Sequence, residues 1–173
     1  MYKRQIAIKV INRGVNGQEE ADMMARFDKD VMAEKPDLVL WQVGANAVMR
    51  DRALAPEETL IRDGIERLKA AGTDVVLVDV QYTPAVIAKP TAAPMVDLIA
   101  AEAREHEIGV FRRFDLMKDW HETRQLPFDA FSVADGLHMN DWGYDCLARN
   151  MAAAIIDASA PAAMASARTG STH

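Results

Sequence analysis

Asp37-Leu38-Val39-Leu40-Trp41-Gln42-Val43-Gly44-Ala45-Asn46 is the stretch on which the fold turns. From Leu38 to Val43 it is a near-continuous apolar run, the mark of a strand buried on both faces, as the strands of parallel sheets are. The run stops at Gly44-Ala45-Asn46. Asp74 to Val80 (Asp-Val-Val-Leu-Val-Asp-Val) repeats the pattern, and Ile108-Gly109-Val110-Phe111 repeats it in shorter form. Upstream, Ile6 to Ile11 reads as a further short strand ending in the polar turn Asn12 to Gly17.

Helical patterns fill the intervals. One from about Gln18 sets Ala21, Met24, Phe27 and Val31 at steps of three or four, until Lys35-Pro36-Asp37 stops it. Pro56-Glu57-Glu58 opens a second, with proline and acids in the first turn; Ile61, Ile65 and Leu68 form its inner stripe and Gly72 ends it. Pro94 to Glu107 places Met95, Ile99 and Ala103 on one face. Leu116 to Thr123 is a further helix, and Asp141 to Ala158 is the last, with Leu147, Met151 and Ile155 inside. Gln81 to Pro94, with three prolines, reads as a loop long enough to be a lid or a substrate wall. Strands alternating with helices at this spacing predict an α/β fold with a mostly parallel, doubly wound sheet, in one domain over residues 1–158. From Ser159 the chain becomes an Ala-rich, low-complexity tail.

Composition narrows the function. Half of the 173 residues are hydrophobic and 27% are charged, a globular balance. A formal net charge of -6 argues against nucleic acid or an anionic membrane surface as partner. No apolar run reaches the length of a membrane span, and the start is too briefly apolar to be a signal peptide. Cys146 is the only cysteine, so no intrachain disulfide forms, and the compartment stays open. Nothing in the pattern specifies an oligomeric state.

The chemistry concentrates in Asp135-Gly136-Leu137-His138, a carboxylate three residues before an imidazole in a turn-prone loop from Arg124 to Asn140. A carboxylate that fixes the tautomer of a histidine is the orienting half of a nucleophilic hydrolase. The plain alternative is an Asp-Gly turn ahead of Asn140 or Asp141 as a helix cap. Asn46 reads as a turn former or as an amide donor to an oxyanion; Gly17 reads as a left-handed turn or as a backbone N–H that substrate can approach closely. Singly, the plain reading leads. Placed at three matching strand ends, where open α/β sheets build their sites, they read as a site. A metal bound by Asp135, His138 and Asp141 is the weakest reading, having no second histidine cluster behind it. Trp142 and Tyr144 read as core, Cys146 as buried and inert, and His106 and His121 as surface residues on helices. Ser132 is the one serine near the pair. It shares their loop and follows no strand-to-helix elbow, which makes it a poor nucleophile.

These residues resemble the SGNH, or GDSL-type, ester hydrolases. Val10 to Gly17 is similar to that family's second sequence block, whose last glycine is an oxyanion donor. Asp37 to Asn46 is similar to the third, Gly-x-Asn-Asp, whose asparagine is another; Ala47 stands where an aspartate is usual. Asp135-Gly136-Leu137-His138 resembles the fifth, which carries the acid and base, and Asn140, Gly143 and Tyr144 fit its continuation. The resemblance implies a three-layer α/β/α, flavodoxin-like domain that hydrolyses small acyl esters. Asp135 and His138 would be catalytic and Gly17 and Asn46 would form the oxyanion hole, with neither cofactor nor metal. The family's first block, Gly-Asp-Ser on the first strand, has no counterpart, so the nucleophilic serine is expected to lie outside this chain. A catalytically inactive relative that binds a ligand is the competing reading. In that family the first strand lies between the second and third. Its loss would orphan ladder groups at roughly 1–3 kcal/mol each. Either the strands at Ile6 and Leu38 close up, or the domain is incomplete; incompleteness is the expectation.

Overall fold

The computed structural model describes residues 8–159. Three parallel strands, β1 (Leu38–Gln42), β2 (Asp74–Val78) and β3 (Gly109–Phe111), lie side by side in that order. Leu38 stands opposite Asp74 and Gln42 opposite Val78; Val76 stands opposite Gly109 and Val78 opposite Phe111. Side chains alternate across the sheet. Val39, Trp41, Val75 and Leu77 enter the main core under α1 (Glu20–Ala25), α4 (Leu54–Ala70) and α6 (Ala92–Glu105). Ile61, Ile65 and Leu68 on α4 and Met95 and Ile99 on α6 are completely buried, so both stripes legible in the sequence are core. Pro56 falls in the first turn of α4, where its missing N–H costs no hydrogen bond.

Other elements differ from expectation. The helix expected from Gln18 is broken: α1 ends at Ala25, α2 (Phe27–Asp30) follows, and a 3-10 turn, Met32–Glu34, leads to Lys35 in the left-handed region. Residues 8–11 form no strand; Ile8 and Val10 are 79% and 85% exposed, while Ile6 lies outside the described residues. Their β-branched side chains favour extended backbone, but a strand exists only where a neighbour completes the ladder. These residues therefore do not close onto β1, whose outer edge has no partner strand among the described residues. Leu38 and Leu40 are exposed on the face opposite the core.

Gln81 to Pro94 is no free lid. It folds into α5 (Pro84–Ile87) and the start of α6, with Thr83 and Val86 fully buried, so it is a packed wall. Thr83 and Pro84 begin α5 as prolines begin helices, at the first position. The helix expected over Leu116 to Thr123 is α7 (Arg113–Lys118) continued by a π-turn, Asp119–Thr123. A short α3 (Ala45–Met49) follows β1 directly. Last comes α8 (Asp141–Ala158), on which Leu147, Met151 and Ile155 are only half-buried. A second small core of Met117, Trp120, Phe131 and Met139 supports the loop before it. The tail expected from Ser159 lies, beyond that residue, outside the described residues. Among the described residues no helix is long and apolar enough to cross a membrane.

Gly64 shows how tightly α4 seats on β1. A Cβ there would lie 2.3 Å from the Trp41 indole, which is itself buried. On an exposed helix, glycine to alanine gains about 1 kcal/mol. Here Gly64→Ala is expected to destabilise by about 1–3 kcal/mol through overpacking. Urea unfolding of the variant measures it, and a gain in stability would contradict this packing.

Candidate active site

The carboxyl ends of all three strands meet one buried cation. Arg113, the first residue of α7 after β3, donates from Nε to the Asp79 carbonyl (2.9 Å). Its Nη1 reaches Gln42 Oε1 (3.1 Å) and its Nη2 reaches Gln81 Oε1 (2.9 Å). Asp79, beyond the end of β2, accepts the Phe114 amide at 2.9 Å and so caps α7. Burial pushes the Asp79 carboxyl up to about 6 against the pull of that amide and of Arg113, and burial draws the Arg113 guanidinium down to about 10. Gln81 Nε2 in turn donates to the Leu137 carbonyl (3.4 Å). The strand ends thus form a polar floor beneath the loop that carries His138.

That loop is folded on itself. Ser132 and Met139 pair as an antiparallel bridge, and the Val133 amide donates to the His138 carbonyl (2.9 Å). Gly136 takes the left-handed conformation, φ 68°, and its carbonyl accepts the Ala85 amide of α5 (2.9 Å). Asn140 caps α8 by accepting the Gly143 amide at 2.9 Å. Inside this frame Asp135 does two things. Its Oδ1 accepts the amides of Leu137 (2.8 Å) and His138 (2.9 Å), and its Oδ2 lies 2.6 Å from His138 Nδ1. The His138 hydrogen bond, followed by the two amides, holds the Asp135 carboxyl down at about 2. An ionised carboxylate only accepts, so Nδ1 carries a proton and donates it to Asp135, which leaves Nε2 as the other ring nitrogen of His138. Both side chains are about half exposed.

Gly17 and Asn46 are joined by a strap. Gly17 is left-handed (φ 76°), and its carbonyl accepts Arg50 Nη2 at 2.8 Å. The Gln18 carbonyl accepts Asn46 Nδ2 at 2.7 Å, and the Glu19 carboxylate takes Arg50 and Arg52. An amide nitrogen has two hydrogens; the Gln18 bond occupies one and orients the other. The structure therefore brings Asp135 to His138 and the Gly17–Gln18 segment to Asn46. The two pairs connect through α3, which carries Asn46 and packs on α5, which holds Gly136. An ion pair between Lys89 and Asp51 (2.6 Å) reinforces that seam.

The remaining sequence candidates are placed otherwise. Ser132 is buried, and its Oγ donates to the Phe128 carbonyl at 2.7 Å. Asp141 begins α8, and among the described residues no three His, Cys, Asp or Glu side chains converge as metal ligands. Trp142 and Tyr144 are not core but 47% and 51% exposed, because α8 lies largely off the sheet; Trp142 packs an edge against Trp120. Cys146 is half-buried. His121 and His106 are not surface residues: His121 stacks on Phe128 at 3.9 Å, and His106 Nε2 turns in toward Glu102 (3.4 Å). Arg113, Asp79, Gln81 and the Arg50–Glu19–Arg52 group escaped the sequence reading. The available signal was a set of polar residues, Gln42, Asp79 and Arg113, each placed at the end of an apolar strand.

The chain matches the model of the non-GDSL lipase-like family over residues 2–161. It is 41% identical over 46 residues to an acetylxylan esterase of Geobacillus stearothermophilus, a match covering 27% of this chain and about a fifth (21%) of that relative's length. The crystal structure of an acetylxylan esterase from the same organism superposes with a TM-score of 0.71 at 22% identity, covering 80% of this chain and 68% of that one. A lipase/acylhydrolase from Enterococcus faecalis gives a TM-score of 0.65 at 25% identity, over 76% and 67%. The fold is the α/β fold of these SGNH-type hydrolases. With its parallel sheet and a family match that runs through the Gly17, Asn46 and Asp135–His138 segments, this chain belongs to the non-GDSL lipase-like family.

Proposed function

We propose that the chain supplies the acid–base pair and oxyanion donors of a hydrolase of small acyl esters. The observation that carries this is the 2.6 Å contact of Asp135 Oδ2 with His138 Nδ1, made by a carboxylate whose other oxygen is fixed by two backbone amides. Such a carboxylate sets the tautomer and turns Nε2 outward as a general base. The neighbouring acetylxylan esterase has catalytic mutants at a serine, an aspartate and a histidine, the last two three positions apart, as Asp135 and His138 are. Among the described residues His138 Nδ1 bonds to Asp135 and no hydroxyl is bonded to the ring; on this reading the nucleophilic serine comes from outside this chain. In the reaction, the serine oxygen attacks the ester carbonyl as its proton passes to His138 Nε2. The oxyanion accepts the Gly17 N–H and the second hydrogen of the Asn46 amide. His138 then protonates the departing alcohol, and water repeats the sequence on the acyl-serine. An acetylated sugar fits the neighbour's substrate.

The second reading, a binding protein without turnover, is favoured by one observation: Ser132, the nearest serine in sequence, spends its hydroxyl on Phe128. Acetate release from an acetylated xylo-oligosaccharide by the protein purified from its native cell separates the two. His138→Ala is expected to lower kcat by about 10⁴-fold and Asn46→Ala by about 10²–10³-fold, with Ser132→Ala unchanged. Full turnover in His138→Ala removes the imidazole from the mechanism. Saturable calorimetric binding of the oligosaccharide with no acetate release selects the binding protein.

The loop itself has a pH signature. A carboxyl lowered from 3.8 to about 2 on folding stabilises its loop fully above its ordinary value, and the effect is lost as pH falls through about 2. The Leu137 and His138 amides are therefore expected to resist hydrogen exchange down to about pH 2 and to exchange freely in Asp135→Ala. Equal protection in that variant would show that the side chain does not hold the loop.

A further inference from the structure

The loop that carries His138 runs back beside Phe131–Val133 as a short ribbon with two faces. Ser132 and Met139 form its antiparallel bridge. The amides of Val133 and Asn140 donate to the carbonyls of His138 (2.9 Å) and Phe131 (3.1 Å). Ser132 and Met139 both turn inward and are buried. Successive side chains of paired segments point to opposite faces, so Val133 and His138 stand across from each other on the outer face. Val133 is accordingly 42% exposed, and it belongs to neither core. Beyond Met139 the chain enters α8. There Val133, Met139, Asn140, Asp141 and Trp142 line an open depression of about 460 Å³. Its wall is Trp142, exposed yet anchored: the ring meets Trp120 edge-on at 5.3 Å, and the buried Trp120 meets Phe131 in the same way at 5.6 Å. Asn140 spends its side chain on the Gly143 amide and the Asp129 carbonyl, so the polar group offered at the rim is the exposed Asp141 carboxylate.

We propose that this depression is the subsite for the alcohol half of the ester and that the alcohol is a neutral pyranose, held by Trp142, Val133 and Asp141. The inference rests on the esterase reading for the part His138 plays. A histidine that protonates the departing alcohol has that alcohol beside it, while the carbonyl is turned to the oxyanion donors. Val133, across the ribbon from His138, is then the first surface beyond the imidazole that the alcohol meets. A pyranose has a face of C–H groups and a rim of hydroxyls. The indole and the valine cover the C–H face, and a carboxylate, which only accepts, takes hydroxyl protons from the rim. Apolar walls with one or two placed polar groups are the usual make-up of a small-molecule site. A long alkyl chain would need a deep apolar slot, whereas this depression opens to water. A sugar acid would meet like charge, because Asp141 and Asp135 are both exposed on this surface.

The test is binding, which needs no turnover: unacetylated xylotriose is added while the indole N–H signals and the Val133 methyl signals are followed by NMR. The Trp142 and Val133 signals are expected to move together and to saturate, while the indole of Trp41, buried under α4, stays fixed. Trp142→Ala, followed through Val133, and Asp141→Asn are each expected to weaken binding about tenfold. Asp141→Asn keeps the size of an exposed side chain, so it decides the point should Trp142→Ala fail to fold. Glucuronate at the same concentration should leave both signals where they are. The proposal is overturned if xylotriose moves neither signal, if both variants bind it as tightly as the unsubstituted protein, or if glucuronate moves the signals equally. Acetate release from acetylated xylotriose separates this result from the esterase reading. Saturable movement of Trp142 with no acetate released keeps the sugar site, as that of a binding protein, and removes the esterase. Acetate release with KM unchanged in Trp142→Ala keeps the esterase and removes the subsite.

Discussion

The guanidinium of Arg113 is the point at which the sheet, the helix after it and the loop that carries His138 are made one body. It is buried, and each of its nitrogens bonds to a group at a different place on the carboxyl edge: Gln42 at the end of β1, the Asp79 carbonyl after β2, and Gln81 beyond it. A buried charge tolerates no missing partner; breaking such a set costs about 3–5 kcal/mol because the charge is left behind. The strand ends are therefore held in register by a group that demands all of them. Gln81 passes this order on to Leu137, the residue before His138. The imidazole itself lies half in solvent, so its placement depends on this buried floor and on the Gly136–Ala85 bond rather than on being packed.

How far this arrangement was legible in the sequence depended on whether a feature is local or needs a partner. The β1 and β2 runs, the α4 and α6 stripes and the α8 cap were legible because periodicity and capping chemistry are written within a few residues. The Asp135–His138 turn was legible for the same reason, since the carboxylate, the two amides it accepts and the ring span four positions. Ile8 and Val10 misled because β-branched residues report only a preference for extended backbone, and the strand that would pair with them is not among the described residues. Gln81 to Pro94 misled in the opposite way: its prolines suggested a loop, yet Pro84 sits at a helix start, where a proline fits. Trp142 and Tyr144 look like core by type, but α8 stands largely clear of the sheet. The Arg113 set had no motif at all, because its members lie tens of residues apart and meet only after β1, β2 and β3 have aligned.

The open side of β1 belongs to the same account. Parallel strands are ordinarily covered on both faces and paired on both edges. Here Trp41 is sealed against Gly64 on one face, while Leu38 and Leu40 are exposed on the other. One edge of β1 pairs with β2, and the other faces no strand among the described residues. Yet the carboxyl end of β1 is fully organised: Gln42 meets Arg113, Gly44 meets Glu20, and Asn46 meets Gln18. The order at that end comes from polar contacts made beyond the strand, and does not require its outer edge to be paired.

Three carboxyl groups around this edge show how one functional group is given different states by its surroundings. Asp79 and Glu57 are buried, and burial raises them to about 6 and about 7, toward the neutral form. Asp135 stands half in water with three donors on its two oxygens, which holds it at about 2. Acid–base roles follow from environments that push such groups apart. Ionised, Asp135 can only accept, and so fixes the proton on His138 Nδ1. Exchanging the two environments would fail at the loop, where a neutral Asp135 would compete for the tautomer, and in the interior, where an ionised carboxyl would lose its water without gaining Asp135's three donors.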